Sequence, residues 1–246
     1  MSTSHLPEPL AQQPLAEIVA NDSRTAEVFE RFGLDYCCRG QQTLETATRE
    51  RRVALPDVVA ALDALGPPTA ADRLPEDWNH LDALTRHIVE RHHHYAVSTI
   101  PVIRGWLDKL VDRHAARHPE LREVRETFIE LADELTTHMA KEESLLFPFI
   151  NELAVAERAG SRLPRGPFGT ILHPVRVMES DHEETGQLLQ RLRDLTKDYQ
   201  PPSDGCATYQ LCYRELARFE GDLHRHVHLE NNVLFPQAME LERSLS

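Results

Sequence analysis

The sequence has no unbroken apolar run of about 18 or more residues, which excludes a membrane-spanning helix. Met1 to Leu10 lack a basic-then-apolar signal peptide, so the expected location is the cytoplasm. There is no basic excess: 27 Lys and Arg stand against 40 Asp and Glu, a formal charge of -13. Phosphate binding needs a basic surface, so nucleic acid is not an expected partner. Cysteine is scarce, and two of the four, Cys37 and Cys38, are adjacent, which is unlike a secreted disulfide framework. No stretch alternates apolar and polar residues as a half-buried strand does. What is abundant is histidine, fourteen in 246 residues, in a chain that is 41% apolar and long enough for one or two domains with a substantial core.

Residues 1–13 show no periodicity and read as a loose tail. Short helical patterns fill 14–66, where Pro14 suits a helix start, Ser23 can cap a second helix and Gly33 can stop it. This region, which carries Cys37 and Cys38, reads as a small helical domain. A turn-rich linker over 67–77 follows. From 78 to 246 the patterns lengthen into four helices, near Trp78–Arg113, Pro119–Glu157, Pro174–Lys197 and Cys206–Glu242, with Pro148 as a kink or early stop in the second. Four helices and three connections predict an all-α, up-down-up-down bundle behind a small helical domain.

One phrase, H-x-x-x-E-x-x-x-L-F-P, occurs twice: from His138 through Glu142 to Pro148, and from His226 through Glu230 to Pro236. Residues four apart share a helix face, so each copy aims an imidazole and a carboxylate in one direction. The seam through the first copy reads Val124, Phe128, Leu131, Leu135, His138, Glu142, Leu145, Phe149. The seam through the second reads Cys212, Leu216, Phe219, Leu223, His226, Glu230, Val233, Gln237. A carboxylate that interrupts an apolar stripe costs several kcal/mol in desolvation unless it is paired or metal-bound. A surface position on a misdrawn face explains one copy more readily than two matched ones.

The third helix carries His182 in the seam Val175, Met178, His182, Gly186, Leu189, with Gly186 leaving room beside the imidazole. A core histidine bonded to backbone is the plain alternative there. The first helix offers two stripes: Leu81, Leu84, Ile88, His92, Tyr95, and Val89, His93, Ala96, Ile100, Ile103, Leu107, Leu110. The longer one favours His93 over His92, leaves His94 facing solvent, and makes His87 and His114 weaker candidates for an outer layer. Four imidazoles and two carboxylates suit iron, manganese or zinc and disfavour calcium and magnesium. Six ligands exceed one tetrahedral zinc but suit two metals, each with two histidines, bridged by Glu142 and Glu230. A bridging oxygen and an open position complete the shells, and two irons so held can bind small diatomic ligands.

Asp35-Tyr36-Cys37-Cys38, the two repeated phrases and Met178-Glu179-Ser180-Asp181-His182 together resemble the di-iron iron–sulfur cluster repair proteins, whose main domain is hemerythrin-like. In that family the first-helix ligand is the His of an Arg-Tyr-His sequence, matched here by Arg91-His92-His93 with His92 in place of Tyr. Arg39 also stands where a Gly is usual. The resemblance implies iron as the metal, a cytoplasmic setting, and restoration of clusters damaged by nitric oxide or oxidative stress, by supplying iron or by processing nitrosyl groups. It also implies damaged iron–sulfur proteins as partners. A protein that binds nitric oxide or oxygen without turnover is the alternative function, and a zinc-stabilised interaction module a third. The oligomeric expectation is a monomer or homodimer. A disulfide between neighbours is strained, so Cys37 and Cys38 are read as redox thiols or as handlers of iron and nitrosyl groups, against a packing role. Cys206 and Cys212 are read as structural.

Overall fold

The computed structural model describes residues 9–74, 80–162 and 166–246. The first eight residues of the expected tail, residues 75–79 with the expected helix start at Trp78, and three residues of the 160–169 loop lie outside them. The described residues are helical without a strand; one isolated bridge joins Pro14 to Thr43. Four short helices come first: α1 Leu15–Asn21, α2 Thr25–Phe32, α3 Leu44–Arg51 and α4 Leu55–Asp63. Pro14 stands immediately before α1, and Gly33 closes α2 at φ 66°, the left-handed conformation glycine adopts freely. Ser23 does not cap α2. The turn is held instead by Asp22, which accepts from the Arg24 backbone N–H at 3.1 Å, while the Arg24 side chain donates to the carbonyls of Leu65 and Gly66.

Four long helices follow. Leu81–His87, Ile88–His93 and His94–His114 run on without a break and form α5 (81–114). Glu120–Lys141, Glu142–Leu146 and Phe147–Ala159 likewise form α6 (120–159), and α7 is Leu172–Thr196. Ala207–Leu229, Glu230–Leu234 and Phe235–Leu245 form α8 (207–245). Each long helix packs on its sequence neighbour and α8 closes on α5, giving the up-down-up-down bundle. No helix among the described residues is long and apolar enough to cross a membrane.

Pro148 and Pro236 neither stop nor sharply break their helices. Each follows a wide π-turn, Glu142–Leu146 or Glu230–Leu234, and sits in the first turn of the α-helix beyond it. There a missing N–H is tolerated, and the wide turn relieves the clash that a proline ring makes with the preceding turn. The π-turn adds a residue to the register. Leu145, on the expected seam, is therefore 54% exposed, while Leu146 is buried in its place.

The apolar core of the bundle is in two parts. One, near the α5–α6 and α7–α8 turns, includes Ile103, Leu107, Phe128, Leu131, Leu192 and Phe219. The other, at the opposite end, includes Leu84, Ile88, Phe147, Ile150, Val175 and Phe235. The polar residues lie between them in sequence on every long helix. The small domain has its own core around Leu15, Phe29 and Leu44, into which Val227 of α8 also packs.

Candidate metal centre

Four helices each deliver residues to the layer between the two cores. His93 ends the π-turn of α5, Glu142 and Glu230 begin those of α6 and α8, and His138 and His226 stand one turn earlier on the same helices. His182 comes from the middle of α7. Glu142 and Glu230 are 0% exposed and none of the four histidines exceeds 4%. The residues form two groups that share both carboxylates. His93, Glu142, His226 and Glu230 bring ligand atoms within 4.8 Å of one another, and so do His138, Glu142, His182 and Glu230. Glu142 Oε2 is 3.4 Å from Nε2 of both His93 and His138. Glu230 reaches His226 with Oε1 at 2.9 Å and His182 with Oε2 at 3.0 Å. Each carboxylate thus touches both histidine pairs.

The electrostatics are those of a site built for positive charge. Burial alone lowers an imidazole pKa. At His138 burial is outweighed by Glu142, by Glu230 and by the bond to Asp181, which hold the group up at about 9. At His93, burial is likewise outweighed, by Glu142 and Glu230, and the pKa is raised. At His226 burial prevails over Glu230 and the pKa is lowered. Glu230 is pushed up by burial, yet His226 and His182 hold it well below the ordinary carboxylate value. Both oxygens of Glu142 are buried without a hydrogen-bond partner among the described residues. Orphaned carboxylate oxygens facing convergent imidazole nitrogens fit a cation with mixed nitrogen and oxygen ligands.

An outer layer, which the seams did not reveal, orients the imidazoles. His93 Nδ1 lies 2.8 Å from Glu143 Oε1, His138 Nδ1 3.3 Å from Asp181 Oδ2, and His182 Nδ1 2.9 Å from Asn231 Oδ1. Each partner is the sequence neighbour of another helix's ligand, which is the signal that could have found it. His92 is buried but stacks on His226 at 5.6 Å and pairs with Asp222 at 3.1 Å, outside both groups. His94 is exposed and His87 packs on His92. His114 packs on Tyr209 in the far core and plays no part here. Gly186 makes no room for His182: a Cβ there would meet nothing within 4 Å, and the residue lines an open cleft instead.

The small domain docks beside this centre. Asn232 Nδ2 donates to the Cys37 carbonyl at 2.9 Å and to the Tyr36 carbonyl at 3.3 Å, and Tyr36 packs edge-on against His228. Asp35 Oδ1 accepts the backbone N–H groups of Cys37 and Cys38. The two sulfurs are 3.9 Å apart and reduced, and Cys38 Sγ is 3.9 Å from the His182 carbonyl. The neighbouring Cys38 thiol, together with burial, raises the Cys37 pKa well above the usual value, so Cys37 is held as a thiol. Cys38 is the less buried of the two; both line a cleft of about 1130 Å³ bordered by α7 and the small domain. Cys212 is buried in the far core, and Cys206 is exposed at the start of α8.

Comparison with known proteins fits this division. Residues 84–238 match the hemerythrin HHE cation binding domain family, and residues 11–66 match ScdA_N, a domain of unknown function (DUF542). The iron-sulfur cluster repair protein YtfE of Enterobacter sp. (strain 638) is 32% identical over 229 residues, 92% of this chain and 96% of that protein. The iron-sulfur cluster repair protein ScdA of Staphylococcus haemolyticus (strain JCSC1435) is 31% identical over 226 residues, 90% and 95% of the two chains. YtfE of Escherichia coli O1:K1 / APEC is 31% identical over 229 residues, 92% and 96%. The chain belongs to the iron–sulfur cluster repair family. Within that family's hemerythrin HHE cation binding domain, the buried His and Glu groups of this chain fit a metal-binding site.

Proposed function

We propose that the chain holds two iron ions, joined by Glu142, Glu230 and a bridging oxygen, and repairs iron–sulfur clusters damaged by nitric oxide or oxidative stress. The observation that carries this reading is that each buried carboxylate reaches both histidine pairs. One pair is His93 and His226, the other His138 and His182. Iron bound there supplies redox chemistry and diatomic-ligand binding, and is itself the material a depleted cluster lacks. The chain's own part is to strip water from the layer, to keep the imidazoles pointed by Glu143, Asp181 and Asn231, and to balance the cationic charge with two carboxylates.

Cys38, which lines the cleft and touches the His182 backbone, is read as the group that exchanges nitrosyl with a client, with Cys37 as its protonated neighbour. The working division is the small domain 14–66, linker 67–77 and bundle 78–246. The setting is cytoplasmic, with damaged iron–sulfur proteins as partners and the chain a monomer or homodimer. The test is to incubate the iron-loaded protein with a dehydratase whose cluster nitric oxide has damaged. Recovery of dehydratase activity supports repair. Binding of nitric oxide without recovery makes the chain a sequestering protein instead.

A further inference from the structure

The two metal positions have matching inner ligands, two imidazoles and two shared carboxylates each. They differ one layer out. An imidazole that binds a metal through one nitrogen is oriented and made more basic by an acceptor on the other, and losing that acceptor typically lowers metal affinity about 10–100-fold. Both histidines of one pair have such an acceptor. His138 has Asp181, itself fixed by Lys141 at 3.0 Å, and His182 has Asn231, whose amide also reaches the Cys37 carbonyl at 3.5 Å. The other pair is poorly supported. The acceptor for His93 is Glu143, whose side chain is 47% exposed and so screened by solvent. His226 Nδ1 is buried and has no hydrogen-bond partner among the described residues. The ring stacked on it, His92, uses its own Nδ1 on Asp222.

We propose that the two positions are unequal: the metal between His93 and His226 is the weaker and the first to leave, and the one between His138 and His182 stays. The inference rests on the two-metal reading and names which ion is the cargo. It makes the protein a donor of one iron per chain that keeps its second iron, and with it the packing of α6 against α7.

Two measurements test it. Crystals of the full chain given one equivalent of ferrous iron should show anomalous scattering several-fold stronger between His138 and His182 than between His93 and His226. Equal peaks, or the reverse order, overturn the proposal. In solution, protein carrying two irons should surrender them to ferrozine in two phases of about one iron each, separated about tenfold or more. Asp181→Ala should speed the slow phase toward the fast one, Asp181→Asn, which keeps an acceptor, should restore it, and Glu143→Ala should speed only the fast phase. Single-phase release from the unsubstituted protein overturns the proposal, as does a slow phase that Asp181→Ala leaves unchanged. A chain that never loads two irons fails earlier, in the metal count taken before chelator is added, and refutes the two-metal reading itself.

Discussion

Replacing Glu142 by leucine should cost the metal-free protein no more than about 3 kcal/mol, yet abolish the stabilisation that metal brings. Glu142 Oε2 lies 3.4 Å from Nε2 of His93 and of His138. At an effective dielectric of about 20, one such charge pair contributes about 5 kcal/mol. Against it stands the desolvation of a fully buried carboxylate, several kcal/mol, aggravated here because neither oxygen has a hydrogen-bond partner among the described residues. Removing the carboxylate leaves the imidazoles uncompensated, and they then shed their protons; at His138, held up at about 9, this costs about 3 kcal/mol at pH 7, which limits the loss of metal-free stability to about that size. Metal present at about a thousandfold above its dissociation constant adds about 4 kcal/mol to the native protein. Without Glu142 both metal positions lose a ligand, and that gain should vanish. Urea unfolding followed by circular dichroism, with and without ferrous iron, measures both quantities. A metal-free variant weaker by more than about 4 kcal/mol would show Glu142 to be a structural ion-pair partner, and a variant with the full metal gain would show that it is no ligand. Either result refutes the reasoning.

Gly40→Ala should detach the cysteine loop, because an added Cβ would lie 2.5 Å from the Tyr36 carbonyl oxygen and 2.6 Å from Asn232 Oδ1. A loss of about 1–3 kcal/mol and faster alkylation of Cys38 are expected, and an unchanged melting temperature with unchanged alkylation contradicts this. At pH 8 a thiol reagent should modify exposed Cys206 quickly and Cys212 only on unfolding, since burial pushes the Cys212 thiol up to about 12. Rapid labelling that disappears in Cys212→Ser is the contrary result. The Asp22 carboxyl is held below its ordinary value chiefly by the Arg24 hydrogen bond, against the effect of burial. Its contribution to stability is therefore present above the unfolded pKa of about 3.9 and lost as pH falls through the lower folded value. Asp22→Asn should flatten that acid limb in unfolding titrations; an identical acid limb contradicts the pairing.

The repeated His and Glu were legible because a polar residue in an apolar seam stands out at helical spacing. What stayed hidden came from the π-turns. On α5 the apolar stripe of Leu81, Leu84 and Ile88 gives way across Ile88–His93 to that of His93, Ala96 and Ile100. No single helical period spans both, so the sequence offered two competing stripes where the helix uses one and then the other. The residue added by the π-turn of α6 likewise moved Leu145 out of the seam. The Leu-Phe-Pro endings, which look like packing and kinking alone, follow wide turns that start on the two glutamates. Asp181, Glu143 and Asn231 carry no seam signal because they flank the seam and act across helices. Docking of the small domain depends on Asn232 and Gly40 meeting the Tyr36–Cys37 backbone, a long-range contact that no local pattern encodes.

Metal content of the protein as isolated, read with its optical spectrum, bears most directly on the central claim. Two irons per chain with oxo-bridged absorption are expected. A single metal per chain, or zinc alone, would contradict a binuclear iron centre bridged by Glu142 and Glu230.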